Sequence, residues 1–266
     1  MGAATDPGAP LLVSVVTICR NMESLIAGTM RSVLEQTYPH IEYVVVDGLS
    51  ADGTVSRAHR VLAEFPNRDV RIFSEADRGI ADAMNKGIGL TRGKLIAHMH
   101  GGDRYVNPQA IAQVVDSQRQ LGWRWGVASS QVVDLEGRVK HVYRPAASTR
   151  ALLAKNTVPH QSTFLLRDVF DRHGLFRTDI RQASDYEYWV RIGLHGNESI
   201  TVLPFVTSCY LEGGGSDRIG ELISVLWKIR TEMRRDGAGN GYFADLLFVS
   251  RVAAFWAYWH LRAAAI

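Results

Sequence analysis

The chain has 266 residues, of which 46% are hydrophobic and 21% charged, and 30 Lys and Arg against 27 Asp and Glu give it a net charge of +3. This composition is that of a globular protein and excludes a disordered chain, a collagen and a coiled coil. The small positive excess gives no support for nucleic-acid binding and is compatible with anionic substrates or an anionic membrane surface. Two distant cysteines, Cys19 and Cys209, do not make a disulfide framework, which favours a reduced, cytoplasmic compartment.

The first hundred residues alternate between strand and helix patterns. Continuous apolar, β-branched runs are typical of strands buried on both faces of a parallel sheet, and the segments between them have helical spacing. The pattern predicts strands over 11–18, 41–46, 69–74 and 93–99 and helices over 23–36, 54–65 and 79–91. Strands joined in this way by helices indicate an open, doubly wound, mostly parallel α/β sheet.

The second half has a mixed pattern. We expect helices over 108–122, 167–173 and 184–194, a hairpin over 125–133 and 137–143, and further strands over 162–166 and 200–211. The chain therefore divides into an α/β half (1–107), a mixed α+β half of the same domain (108–218) and a helical C-terminal tail (219–266).

Polar residues follow each predicted strand of the first half. Ligands of doubly wound sheets bind beyond the carboxyl ends of the strands, so the acids at these tips, Asp47 and Asp103 above all, are candidate site residues. No G-x-G-x-x-G follows the first strand, which argues against a dinucleotide-binding fold. The stretch GIGLTRGK (87–94) has one residue too many for a P-loop and is better explained as a helix end with a glycine C-cap.

Six stretches together resemble one known family. They are VSVVTICRN (13–21), SVLEQTYPHIEYVVVDGLSADGT (32–54), SEADRGIADAMNKGIGLTRG (74–93), GGDRYVNP (101–108), PHQSTFLLRDVF (159–170) and SDYEYWVRI (184–192). In this order they are similar to family-two glycosyltransferases with the GT-A fold, of the bacterial polysaccharide or glycolipid type. The resemblance implies an inverting transfer of a sugar from a nucleotide-sugar donor, UDP- or dTDP-linked, to a hydroxyl of a glycan or lipid-linked acceptor in cell-envelope glycan biosynthesis.

The resemblance also implies roles for individual residues in donor binding. Residues 1–107 would bind the nucleotide sugar, and residues 108–218 would bind the acceptor and carry the catalytic group. Thr17 and Asn21 would approach the nucleotide, Asp47 and Asp77 would contact its base or ribose, and Asn85 would shape the donor pocket.

The expected chemistry needs a metal ion and a base. Asp103 matches the last acid of the family's metal-binding motif and would hold Mg²⁺ or Mn²⁺, and Asp185 matches the late acid that takes the acceptor's proton, although it also stands where an acid caps a helix. The motif departs from the family pattern, because Gly102 replaces an acid. His100 is a further candidate ligand of the metal or the nucleotide, and an imidazole ligand would favour Mn²⁺. His160 could reach the diphosphate of the donor or the acceptor.

Two rival functions stay open at this point. A degenerate, non-catalytic sugar-nucleotide-binding protein would explain the missing acid. A sugar nucleotidyltransferase has a related fold, but residues 17–21 lack the glycines of its loop.

The tail is dense in aromatic residues over 242–262 and follows a basic stretch. It is short and interrupted for a membrane span. It suits a helix that lies on the inner face of the membrane, and equally a helix that packs on the body or on a second copy in a homodimer.

Overall fold

The computed structural model describes residues 10–134, 136–154, 156–211, 219–237, 239 and 241–263. The strands are β1 (Val13–Cys19), β2 (Ile41–Asp47), β3 (Asp69–Ser74), β4 (Leu95–His98), β5 (Arg104–Tyr105), β6 (Trp125–Val133), β7 (Val139–Tyr143), β8 (Thr163–Leu166) and β9 (Ile200–Leu211). The helices are α1 (Ile26–Leu34), α2 (Thr54–Glu64), α3 (Ile80–Leu90), α4 (Ala110–Leu121), α5 (Arg167–His173), α6 (Ser184–Val190), α7 (Ile219–Arg235) and α8 (Tyr242–Ala263). The predicted boundary at 218 falls in 212–218, outside the described residues.

One sheet runs through both halves of the chain. Its strand order is β3-β2-β1-β4-β8-β6-β9-β5, with β7 paired to β6. Strands β1 to β4 are parallel, whereas β8 joins β4 and β6 in antiparallel register. The chain reverses its direction across the sheet between β1 and β4, which is where a doubly wound sheet opens a ligand crevice. The predicted α/β fold with a mixed second half is confirmed.

Helices cover both faces of the sheet. Strands β1 and β2 are buried along their whole length, as their unbroken apolar runs predict. Helices α1, α2 and α4 pack on one face, and α3, α5 and α6 pack on the other. The close approach of α3 depends on Gly87, since a Cβ there would lie 2.3 Å from a methyl of Val16.

Two helices begin or end at residues other than those predicted from the sequence. Helix α1 begins at Ile26, because the backbone first makes a turn in which Leu25 and Ile26 both donate to the carbonyl of Met22. Helix α6 ends at Val190 and continues as one π-helical turn over Arg191–His195. The Arg191 guanidinium there binds Glu187 and the carbonyls of His173 and Leu175, which favours the wider turn.

The predicted glycine C-cap of 87–94 is wrong. Helix α3 ends at Leu90, and Thr91 is extended. Gly93 instead comes so close to β1 that a Cβ would lie 2.7 Å from the carbonyl oxygen of Leu12. Its amide then reaches Glu42, as described below.

The C-terminal helices pack on the body through one face. Phe248 and Val249 of α8 are buried in the core, while Tyr242, Phe243, Leu246 and Leu247 are exposed. Three of the basic residues of α7 are held in ion pairs, Lys228 with Asp179 and both Arg230 and Arg234 with Asp245. No helix in the described ranges combines the length and the apolar character that a bilayer span requires.

Glu42 joins the amino ends of three strands. Its carboxylate is fully buried and accepts from Ser14 Oγ at 2.5 Å, from the amide of Gly93 at 2.7 Å and from the guanidinium groups of Arg71 and Arg92 at 3.0 Å. A buried carboxylate is tolerated when its oxygens are paired in this way. Burial by itself would raise the pKa of Glu42, but the hydrogen bonds outweigh it and lower the pKa.

We predict that Glu42→Gln destabilises the protein by roughly 1–3 kcal/mol at neutral pH, since buried donors lose a charged acceptor. Because the folded pKa is lowered, the stabilisation is present above the unfolded value of about 4.3 and is lost as the pH falls through the folded value. Urea unfolding of wild type and variant should therefore converge at low pH. Glu64→Gln, which breaks an exposed pair with Arg31, is the control and should leave the transition nearly unchanged. A gap between Glu42→Gln and wild type that is independent of pH would contradict this role.

Candidate active site

The tips of β1, β2, β3 and β4 meet at the carboxyl edge of the sheet. Residues 19–21, 47–54, 75–79 and 99–103 follow these strands. Of the sequence-predicted residues, Thr17 lies within β1 and its side chain is fully buried. Its hydroxyl donates to the carbonyl of Met99 and bonds the hydroxyl of Tyr43, so Thr17 ties β1 to β2 and to the tip of β4 rather than facing the crevice.

Asp47 organises the loop after β2. Its carboxylate is 1% exposed and accepts from the amide of Ser50 at 3.0 Å and from Ser74 Oγ at 2.7 Å, with a further bond from the Ser50 hydroxyl. These bonds fix the turn that presents Gly48 and Leu49 at the edge. The predicted contact of Asp47 with a base stays a prediction.

Asn21 fastens the first tip to the second. It has a left-handed backbone with φ of 52°, which Asn tolerates better than most residues. Its side-chain oxygen accepts from the amide of Ala51 at 2.9 Å, and its own amide donates to Ser50 Oγ at 2.8 Å. The two loops therefore form one wall of the crevice.

Asp77 packs directly on this wall. A Cβ at Gly48 would lie 2.3 Å from Asp77 Oδ2, so any larger residue there would push the Asp77 side chain away from this tip. The other oxygen of Asp77 accepts from the amide of Gly79 at 2.9 Å. Arg20 lies beside Gly48 and makes no ion pair within the described part of the chain, so its guanidinium is free for an anion. Sequence reasoning missed Arg20, although its place directly after β1 was a signal.

Asn85 lies on α3, and its side chain is bonded to the backbone of Phe176. Its amide donates to the carbonyl of Phe176 at 2.8 Å and accepts from the amide of the same residue at 3.0 Å. This paired contact holds the segment after α5 against α3. Asn85 therefore shapes the crevice through the backbone.

Three further candidates converge at the tip of β4. His100, Asp103 and His160 each offer a ligand atom, and these atoms all lie within 4.8 Å of one another. His160 Nε2 is 3.4 Å from Asp103 Oδ2, and the rings of His100 and His160 are 4.3 Å apart. We call these three residues the His–Asp cluster.

Backbone geometry builds the first half of the His–Asp cluster. The amide of Asp103 donates to the carbonyl of His100, which closes a tight turn. Gly102 in that turn has φ of 102°, a conformation that disfavours any side chain. An acid at this position would be strained in the turn that this chain forms. Residue 103 is followed at once by β5, which pairs with β9 and anchors the turn.

A buried cluster of hydroxyl groups supports His160. His160 begins a short 3₁₀ turn over His160–Ser162. Ser162 Oγ bonds Ser208 Oγ at 2.6 Å, accepts from Thr207 Oγ1 at 2.7 Å and donates to the carbonyl of Ser129 at 3.0 Å. The turn that carries His160 is therefore fixed to β6 and β9 together.

The electrostatics of the His–Asp cluster favour a cation. Burial holds the pKa of His100 well below its usual range, so its imidazole is neutral, as a metal ligand must be. Burial would also lower the pKa of His160, but the Asp103 carboxylate 3.4 Å from its Nε2, together with the charge of Asp185, raises it. The same negative charges attract a metal ion.

Asp185 lies within electrostatic reach of this cluster. It stands in the first turn of α6, is half-buried, and accepts from the amide of Tyr186 at 2.8 Å. Ala183, directly before the helix, has a left-handed φ of 55° that turns the chain sharply into α6. Glu187 is buried and bonded to Arg191 at 2.8 Å, so it has a structural partner of its own, whereas Asp185 makes no ion pair among the described residues.

The donor set of the His–Asp cluster fits a divalent cation. His100 Nε2 is buried and has no hydrogen-bond partner among the described residues, which is costly unless a ligand uses it. Two imidazole nitrogens and one carboxylate oxygen form a mixed set that suits Mn²⁺ better than Mg²⁺.

Comparisons with known proteins find relatives over most of the chain. The family model described as "Glycosyl transferase family 2" matches residues 14–170. An uncharacterized glycosyltransferase of Mycobacterium tuberculosis is 32% identical over 210 residues, 77% of this chain and 78% of its own. A putative teichuronic acid biosynthesis glycosyltransferase of Bacillus subtilis is 27% identical over 68% of this chain and 71% of its own.

Solved structures of similar fold cover most of the chain. A mannosyltransferase of Pyrobaculum calidifontis, in complex with GDP-Man and Mn²⁺, superposes with a TM-score of 0.67 and 22% identity over 93% of this chain and 71% of its own. TarS of S. aureus, in complex with UDP-GlcNAc, superposes with a TM-score of 0.67 and 16% identity over 84% of this chain and 66% of its own. At these identities the likeness shows the fold.

We predict that Asp103→Ala loses Mn²⁺ binding, because the only carboxylate of the His–Asp cluster is removed. Isothermal titration calorimetry with Mn²⁺ alone measures this without any donor. Asp116→Ala, which removes an exposed acid from α4, is the matched control and should bind as wild type does. Equal Mn²⁺ affinity in Asp103→Ala and wild type would exclude Asp103 as a ligand.

Proposed function

The chain belongs to glycosyl transferase family 2, and on that premise we propose that it is an inverting, metal-dependent glycosyltransferase. The donor we propose is a UDP- or dTDP-linked sugar. The acceptor is a hydroxyl of a glycan or of a lipid-linked glycan in the cell envelope.

The observation that carries this proposal is the His–Asp cluster at the tip of β4, whose three ligand atoms lie within 4.8 Å of one another and whose His160 feels the charge of Asp185. A cation site and a carboxylate are what a transfer from a sugar diphosphate needs. The site also lies at the switch point between β1 and β4, where doubly wound sheets bind their ligands.

His100, Asp103 and His160 would hold the metal ion. When bound, a divalent cation neutralises charge that develops on the leaving diphosphate. The residues themselves keep the ligand atoms together before a donor arrives, because the turn at Gly102 and the hydroxyl cluster below His160 are fixed by hydrogen bonds.

Asp185 would act as the general base. Its carboxylate takes the proton of the acceptor hydroxyl as that oxygen attacks the anomeric carbon, and the bond from this carbon to the diphosphate oxygen breaks. One displacement of this kind inverts the configuration at the anomeric carbon. The hydrogen bond from the Tyr186 amide orients one oxygen of Asp185 and leaves the other for the proton.

The wall made by the first three tips would bind the nucleotide. Asp77 and the loop organised by Asp47 provide acceptors for the base and ribose, and Asn21 holds the two loops together. Arg20 adds a guanidinium without an ion-pair partner in the described ranges, which suits an anionic donor.

The assignment to cell-envelope glycan biosynthesis rests on the names of two relatives. The Bacillus subtilis relative is named for teichuronic acid biosynthesis, and a 24% identical relative in Mycobacterium bovis is named for PGL/p-HBAD biosynthesis. We propose that this chain works on a comparable acceptor at the cytoplasmic face of the membrane.

A non-catalytic, sugar-nucleotide-binding protein is the rival function. Its support is Gly102 in place of an acid. His100 and His160 supply alternative ligands, so we favour an active enzyme.

We predict that Asp185→Asn keeps donor binding and loses transfer, because an amide cannot take a proton while shape and volume stay nearly the same. The loss in kcat should be roughly two to four powers of ten. Release of UDP or dTDP from a panel of nucleotide sugars, with Mn²⁺ present, measures it. Glu187→Gln, on the same helix, should lower the melting temperature and leave kcat within a few-fold of wild type. Wild-type kcat in Asp185→Asn would remove Asp185 from the mechanism, and an inactive wild type that still binds nucleotide sugar would favour the rival function.

We also propose that the exposed face of α8 meets a membrane surface. The exposed side chains Phe243, Leu246 and Leu247 offer apolar area, whereas the paired arginines of α7 contribute little charge.

Replacing Phe243 and Leu247 by serine should release the protein from sedimenting anionic vesicles, even in high salt. If the wild type ignores vesicles and the substitutions instead split a dimer in sedimentation velocity, this face is a contact between two copies.

A further inference from the structure

A buried ion pair joins the two C-terminal helices. Arg230 of α7 is fully buried and Asp245 of α8 is 1% exposed, with Arg230 Nε and Asp245 Oδ1 2.5 Å apart. Arg234 binds the second oxygen of Asp245. Moving a charge from water into the protein interior is costly, and separating the two helices would leave these buried charges unpaired. The ion pair therefore holds the helices in one arrangement.

Arg230 reaches beyond its own pair to Tyr186. Its Nη1 donates to Tyr186 Oη at 3.0 Å, and that hydroxyl in turn donates to the carbonyl of Leu152 at 2.9 Å. The ring of Tyr186 stacks on Phe248 at 5.6 Å, and the Arg230 guanidinium lies 4.4 Å above the same Phe248 ring. Tyr186 is therefore held at its ring and at its hydroxyl.

Tyr186 is also the residue next to Asp185. Both lie in the first turn of α6, and the amide of Tyr186 donates to the Asp185 carboxylate. A side chain that fixes Tyr186 consequently fixes the backbone and one oxygen of Asp185. Among the described residues, no side chain donates a hydrogen bond to the Asp185 carboxylate.

We propose that Arg230 is a positioning residue that holds Asp185 in place through Tyr186. The C-terminal helices then belong to the catalytic structure, in addition to any surface they offer outside. The inference rests on the proposed function, since it gives Asp185 the role of base.

Three variants separate positioning from plain stability. Tyr186→Phe removes the hydroxyl and keeps the ring stack. Arg230→Met removes the donor and leaves Asp245 paired with Arg234. The control is Glu232→Gln, because Glu232 also ties α7 to the body, at 2.6 Å from Arg177, without touching Tyr186.

The first measurement is hydrogen–deuterium exchange of the α6 amides, which needs no substrate. Exchange should be faster in Tyr186→Phe and in Arg230→Met and unchanged in Glu232→Gln. Unchanged protection of α6 in both of the first two variants would overturn the proposal.

The second measurement is kcat per folded enzyme for donor hydrolysis with Mn²⁺, using UDP-GlcNAc and dTDP-glucose as probes. Tyr186→Phe and Arg230→Met should each lower kcat roughly ten- to hundredfold with the donor KM unchanged, because a small misplacement of the base suffices. Glu232→Gln should keep the wild-type kcat. A drop in melting temperature with kcat unchanged would make Arg230 a structural residue only.

The third measurement tests whether the effect passes through Asp185. Adding Tyr186→Phe to Asp185→Asn should lower kcat no further, since residues that act as one unit are not additive. Multiplying effects would overturn the proposal. If Asp185→Asn alone keeps full activity, the base assignment fails instead, and that result is distinct from a wild-type kcat in Arg230→Met.

Discussion

The contact between Asp103 and His160 is the interaction on which the rest of the site depends. Asp103 follows β4 in the first half of the chain, and His160 precedes β8 in the second half. Strand β8 pairs with β4 in antiparallel register, so it returns His160 to the tip that Asp103 occupies. Without that pairing the second half would bring no imidazole to the carboxyl edge, and the cation site would consist of two neighbouring residues.

Most of the site is positioned by backbone, and few of its groups are free. Backbone amides and carbonyls of neighbouring segments are hydrogen-bonded to the side chains of Asp47, Asn21 and Asn85. Glycines at 48 and 102 allow close approach or a left-handed turn that other residues would disfavour. We therefore propose that the chemistry is concentrated at the His–Asp cluster and at Asp185, next to a wall whose loops are joined by hydrogen bonds.

The regular half of the fold could be read from periodicity, because buried parallel strands and amphipathic helices leave strong local patterns. Pairings between distant strands leave none, so neither the short β5 nor the place of β8 beside β4 was predicted. The carboxyl ends of the first four strands could be predicted as the site from the sequence. The sequence does not tell, however, whether an acid there faces a ligand or a neighbouring loop. Thr17 and Asp47, for example, are buried, which the sequence did not reveal. The contact between Arg230 and Tyr186 joins residues 44 positions apart, and no local sequence pattern predicts such a contact.

The central claim is that histidine nitrogens of this chain hold a divalent cation beside Asp185. Electron spin echo envelope modulation of the Mn²⁺-loaded protein tests it most directly, because it detects nitrogen bound to the metal. The account predicts modulation from coordinated imidazole nitrogen in the wild type, weakened in His160→Ala and in His100→Ala. A Mn²⁺ signal that shows oxygen ligands alone in the wild type would contradict it.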